Sequence, residues 1–305
     1  MRITTFVCSL LLSITPAFAW NESGHMVTGA LAYDVLMKDD PKAVDRIVDL
    51  LKSHPQADVF KKRLEAVPAN VRNRYLFMIA ARWPDDIRRD EQFHRGPWHY
   101  INYPVVPADP SDRSETAPPA PPEDNLVTSL RSNRAALQGD DAAAKAVAIT
   151  WIFHQVGDIH QPCHAVAYFS KWKPEGDRGG NDCYVRTGPA GAVINVHSLW
   201  DGLILADHSY GATGNEATKL RLRDDLSPDK LPGDVNELDT DVWTRESVAL
   251  AERLVYWNRI LKGGTQRSSG PILPDGYLTA AKFAAEQRVV LSGYRLANLL
   301  KDAVD

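Results

Sequence analysis

His154-Gln-Val-Gly-Asp158-Ile-His160-Gln-Pro162-Cys-His164 is the stretch whose reading decides the fold. It closes residues 141–159, whose alanine and apolar content reads as a buried helix. Positions four apart on a helix project from one face, so His154 and Asp158 stand together, about 5–6 Å apart at Cβ. An imidazole and a carboxylate at that spacing suit one cation. Pro162 ends or kinks the helix, which lets His164 turn toward the same cavity. His160 lies off that face and reads as a structural histidine, or as one that orients a ligand through a hydrogen bond.

A second pair, His197-Ser-Leu-Trp-Asp201, repeats the spacing. One such pair reads as a solvated helix face. Two pairs with His164 beside them point to a metal site. Imidazole plus carboxylate without thiolate suits zinc in a hydrolytic centre. Cys163 adjoins His164, but successive helical residues point in different directions, so it is not assigned as a ligand. Upstream, Trp83-Pro84-Asp85-Asp86-Ile-Arg88 offers a carboxylate and, one turn later, a guanidinium. Trp98-His99-Tyr100-Ile-Asn102 offers an imidazole flanked by aromatics. His54, His94 and His208 have no pattern around them and read as surface or structural residues.

The N-terminus carries Arg2, an apolar run from Ile3 to Leu12, and Ala17-Phe18-Ala19. These are the three parts of a secretory signal, here residues 1–19. Cleavage after Ala19 makes Trp20 the first residue of a domain spanning 20–305. A free amine and its own carbonyl can chelate a metal in a five-membered ring, and His25 follows at the start of an apolar-periodic segment. The formal net charge of −4 excludes a general polyanion binder. Any nucleic-acid contact then needs local positive charge, which bound cations would supply. No run of about eighteen apolar residues follows the signal, so the expectation is a soluble protein, secreted or periplasmic, with no membrane contact. Cys8 leaves with the signal. The remaining Cys163 and Cys183 read as one disulfide, with two buried thiols as the competing reading.

Helical periodicity dominates elsewhere: residues 25–38, a helix opening at Pro41, then 70–82, 126–138, 241–261 and 278–301. Residues 104–123 hold seven prolines and read as an exposed loop. Residues 174–196, with glycines around Cys-Tyr-Val-Arg and Ala-Val-Ile-Asn-Val, read as a small β-hairpin. The fold class is mainly α, one helical domain.

Taken in order, Trp20, His25, Trp83-Pro-Asp85, His99, the His154–His164 segment and His197-x-x-x-Asp201 resemble the zinc-dependent type I nuclease family. These are single-strand nucleases and 3′-nucleotidases of fungi, plants and some bacteria. The resemblance implies a helical phospholipase C/nuclease-like domain with three zinc ions at the bottom of a cleft. It implies one zinc held by Asp85, His99, His154 and Asp158, and a second by His164, His197 and Asp201. The third would be held by the Trp20 amine and carbonyl and His25, with Asp158 bridging. It further implies hydrolysis of RNA and single-stranded DNA to 5′-phosphates, with Asp85 acting on the attacking water and Arg88 on the phosphate. A neighbouring pocket would take a base on Tyr100, Asn102, Gly180 and Asn181. The family often has Asp where Asn102 stands; an amide both donates and accepts, so base discrimination is expected to be weaker. The sister family of zinc-dependent phospholipases C typically has Glu at the position of Asp201 and a longer gap after the N-terminal Trp. It remains the alternative reading, with a non-enzymatic zinc-binding protein as the third. A monomer is the default.

Overall fold

In the computed structural model, which describes residues 20–304, helices account for most of the chain. They are α1 (Glu22–Asp39), α2 (Pro41–Leu51), α3 (Ala57–Leu64), α4 (Arg72–Asp86), α5 (Leu126–Ala136), α6 (Ala142–His160), α7 (Pro162–Ala165), α8 (Val196–Asp201), α9 (Tyr210–Arg221), α10 (Thr240–Leu250) and α11 (Tyr277–Val304). Four short strands join them: β1 (Tyr103–Val105), β2 (Val166–Tyr168), β3 (Tyr184–Arg186) and β4 (Val193–Asn195). The signal-like segment 1–19 lies outside the described residues.

Helix α6 is central because, beyond its first turns, its sequence leaves it no solvent face. Asp141 caps its N-terminus, accepting from Ala143 N and Ala144 N, and every residue from Ala148 to His160 is buried. It packs on α4, α5 and α11, and α1 packs in turn on α4, α9 and α11. One apolar cluster surrounds α6 and reaches Trp83, Trp151, Trp200 and Trp243. A second gathers Trp20, Met26 and Leu31 of the N-terminal segment against Leu220, Val289 and Val290. No helix among the described residues is long and apolar enough to cross a membrane.

Two β ladders do specific work. The expected hairpin exists as the antiparallel pair β3–β4, Val185 opposite Ile194. The parallel pair β1–β2, Tyr103 opposite Val166, was not foreseen in the sequence; three-residue strands carry too little alternation to be read. Val105 and Asp112 are buried within the proline-rich stretch, so this segment is not wholly an exposed loop.

Two further expectations are corrected. The helix read over 241–261 stops at Leu250, passes through a wide π turn at Ala251–Val255, and leaves helical geometry with positive φ at Trp257, Asn258 and Arg259. The cause is tertiary: Tyr256 turns inward and its hydroxyl donates to the buried Asp177 carboxylate at 2.9 Å. The Cys163–Cys183 disulfide is not formed; both side chains are buried free thiols. Burial pushes both thiols well above their usual range, and they pack as small apolar groups.

Candidate metal centre

The expected donors converge. Proline at 162 removes the α region from the preceding residue, and Gln161 ends α6 in extended geometry (φ −86°, ψ 111°). The chain turns, and one-turn α7 delivers His164 beside the helix it has just left. The β1–β2 register continues backwards, with Ile101 N donating to His164 O at 2.9 Å. That pairing brings the His99 segment against His164. Asp85 lies in the last turn of α4, and His197 and Asp201 are four apart on α8, whose cap Asn195 accepts from Ser198 N at 2.6 Å.

Three groups of donor atoms form, each within 4.8 Å: His25, Asp85 and His154; His99, His154 and Asp158; and His164, His197 and Asp201. Asp158 is the hub. Its oxygens lie 3.3 Å from His25 Nε2, 3.2 Å from His99 Nδ1 and 3.2 Å from His154 Nε2. His25 and His154 stack with centroids 3.7 Å apart. Gly157 makes this possible, because a Cβ there would meet His25 Nδ1 at 2.8 Å.

Main-chain carbonyls fix the rings. His154 Nδ1 is 2.8 Å from Ala81 O, and His197 Nδ1 is 2.8 Å from Gly179 O, where Gly179 has φ 64°. His164 Nδ1 bonds to His99 O. With the ring proton on Nδ1, each Nε2 carries the lone pair that a cation would take.

The donor set fits a cation. Among the described residues, both Asp158 oxygens, Asp85 Oδ2, both His25 nitrogens and His164 Nε2 are buried without a well-formed hydrogen bond. Lone pairs facing lone pairs in a dry interior are costly unless a cation sits between them. Burial alone would raise the Asp85 carboxyl, but His154 and Arg88 outweigh it and hold it near 2. Burial pushes the Asp201 carboxyl well above its usual range, a shift that a bound cation would reverse. Burial and the neighbouring His154 lower His25 to about 4, keeping it neutral.

Trp20 is fully buried, in the second apolar cluster, close to Gly24 and Gly157. The next residue ties the segment to the third donor group, Asn21 N donating to Asp201 O at 3.2 Å. Arg88 is bound to Asp85, Nη2 to Oδ1 at 2.6 Å. Tyr100, next to His99, is 39% exposed and open for stacking, and Asn102 adopts φ 63°, a region Asn tolerates. Gly180 is buried and accepts from His197 N at 3.4 Å; Asn181 donates to Arg178 O at 2.8 Å.

Sequence reasoning missed Gln161. It is fully buried, accepts from Cys163 N at 2.6 Å and donates to Asp201 Oδ1 at 2.6 Å. Its position before the helix-ending Pro162 was the available signal. His160 proves structural, buried with Nε2 3.0 Å from Arg295. His54 is buried against Trp83 and Phe60, while His208 is exposed beside Glu22.

A helical protein with buried, converging imidazoles and carboxylates belongs to the class of candidate metallohydrolases. More specifically, the chain belongs to the S1/P1 nuclease family, whose model matches residues 20–305. It is 24% identical to Endonuclease 4 of Arabidopsis thaliana, covering 94% of this chain and 90% of that protein. It is 25% identical to Endonuclease 2 of the same plant, over 95% and 92% respectively. Endonuclease 5 is 24% identical, over 90% and 92%. The chain is therefore a nuclease, a hydrolase acting on nucleic acid.

Proposed function

We propose that this chain is an exported, monomeric, zinc-dependent endonuclease that hydrolyses RNA and single-stranded DNA to 5′-phosphate products and acts on 3′-nucleotides. Residues 1–19 serve as a cleaved signal, and 20–305 form one domain delivered to the periplasm or medium. Asp85, His99, His154 and Asp158 hold one zinc, and His164, His197 and Asp201 a second. The Trp20 amine and carbonyl, His25 and Asp158 hold the third. The carrying observation is the buried set of unsatisfied donors around Asp158. The family match that begins at Trp20 supports the cleavage point.

Bound zinc supplies an activated water and neutralises charge on the phosphate. The chain's own groups do the positioning. Asp85, held near 2, stays ionised at working pH and suits orienting the attacking water better than removing its proton. Arg88 meets charge developing on phosphate as the bond to the 3′ oxygen breaks. Only an unstacked base brings its phosphate to donors this deeply buried, which favours single strands. Tyr100 stacks on that base; Asn102, Gly180 and Asn181 contact its edge.

The test is N-terminal sequencing and zinc analysis of the exported protein, with activity on RNA and on phosphatidylcholine vesicles. The expected result is a Trp20 start, three zincs, RNA cleaved to 5′-phosphates and intact vesicles. A fully active, fully metallated form still carrying residues before Trp20 contradicts the reading, as does full nuclease activity in His154→Ala. Asn102→Asp is expected to sharpen purine discrimination in dinucleotide kinetics; an unchanged base preference removes that role.

A further inference from the structure

His94 stands in the loop between α4 and the 3₁₀ turn Gly96–His99, where no sequence pattern marks it. The loop fixes its backbone: its N–H donates to Asp90 O at 2.8 Å and its carbonyl accepts from Arg95 Nη1 at 2.7 Å. The ring centroid lies 6.5 Å from that of His99, the planes inclined by 34°. Arg88, Arg95 and Asp85 are the charged groups that act on it electrostatically, and its ring neighbour among the metal donors is His99.

The two ring nitrogens differ. Nδ1 is buried and has no hydrogen-bond partner among the described residues. A buried N–H without an acceptor is costly, which puts the ring proton on Nε2. Nε2 is flanked by Gly96, which has no side chain to cover it. The result is an N–H donor on a partly buried ring of a fixed loop, beside His99 and with no hydrogen-bond acceptor among the described residues.

We propose that His94 is a substrate-contacting residue whose Nε2–H donates to a non-bridging oxygen of the phosphodiester, alongside Arg88. The proposal rests on the nuclease reading and adds a phosphate contact to it. No bond is made or broken at His94; it holds the phosphate in place. Hydrogen bonds to charged groups of this kind are worth about a tenfold to hundredfold in rate.

Three variants test it on the zinc-loaded protein with a dinucleotide substrate: His94→Ala, His94→Asn and His94→Gln. The glutamine amide overlays Nε2, and the asparagine amide overlays Nδ1. The expected result is a tenfold to hundredfold lower kcat/KM for the alanine and asparagine variants, recovery to within about threefold for glutamine, and an unchanged zinc content in all. Three results overturn it: parental kcat/KM in His94→Ala, equal losses in the asparagine and glutamine variants, or zinc loss in His94→Ala. The last would assign the ring to supporting His99. A parent protein inactive on dinucleotides would instead refute the nuclease reading, so the two failures are distinguishable.

Discussion

Gln161 shows how much one side chain can decide. Its amide donates to Asp201 while its oxygen accepts from Cys163 N, so a single buried residue links the α6–α7 turn to α8. A ligand carboxylate oriented by such a donor loses affinity when the donor goes, typically tenfold to a hundredfold. Gln161→Leu is therefore expected to weaken metal binding at the His164–His197–Asp201 group by that factor, measured by chelator competition. Wild-type metal affinity in this variant would remove the role assigned here. Gly157 makes the complementary point, because its importance lies in lacking a side chain. Neither role was readable beforehand, since each depends on what stands opposite in space.

At the scale of elements, α6 is held at its C-terminal end by α10 and α11. Arg288 donates from Nε to His160 O at 3.2 Å and from Nη2 to Ser247 Oγ at 2.8 Å. Arg295, with no exposed surface, contacts His160 Nε2 at 3.0 Å. Both guanidiniums share one carboxylate, Glu246, at 2.7–2.8 Å. Two buried cations against one anion are placed at a helix C-terminus, where the backbone dipole is negative. Removing the anion leaves both uncompensated. Glu246→Ala is expected to cost about 3–5 kcal/mol and lower the thermal midpoint by roughly 10 °C. A loss under about 1 kcal/mol, by denaturant titration, would show that the dipole and carbonyls suffice alone.

For the whole molecule, the donors come from α1, α4, the turn Gly96–His99, α6, α7 and α8, so a bound metal ties distant parts of the chain together. Whatever binds only the folded state stabilises it by mass action. Treating the protein with a metal chelator is expected to lower the melting temperature by about 10 °C, and an unchanged midpoint would count against a resident metal. Acid acts through buried histidines. Burial lowers His54 to about 4 and places His160 well below its usual value. Below the unfolded pKa of about 6.5 the unfolded chain takes up protons that the folded one refuses, so stability falls as pH drops from there toward 4. His54 contributes on the order of 3 kcal/mol of that fall. Its Nδ1 accepts from Gln56 N at 3.0 Å, an acceptor that His54→Asn retains. That variant is expected to flatten the stability profile between pH 6.5 and 4; an unchanged slope would remove His54 as the cause. Asp177 works in the opposite sense. Burial raises it to about 6, so its contribution is complete at low pH and is lost as pH rises through 6.

By itself the sequence determined what short-range chemistry can encode. Helical periodicity located most of the long helices, the four-residue spacing paired His154 with Asp158 and His197 with Asp201, and Pro162 marked the turn that frees His164. These readings need only the 3.6-residue repeat and the fixed φ of proline. The tertiary structure alone decided the rest: which groups meet at Asp158, that two cysteines stay apart as thiols, that Tyr256 ends a helix by reaching Asp177, and that the His94 ring lies beside that of His99. Each of those depends on a contact between residues far apart in the chain, and distance through space is set by packing, which no local pattern records.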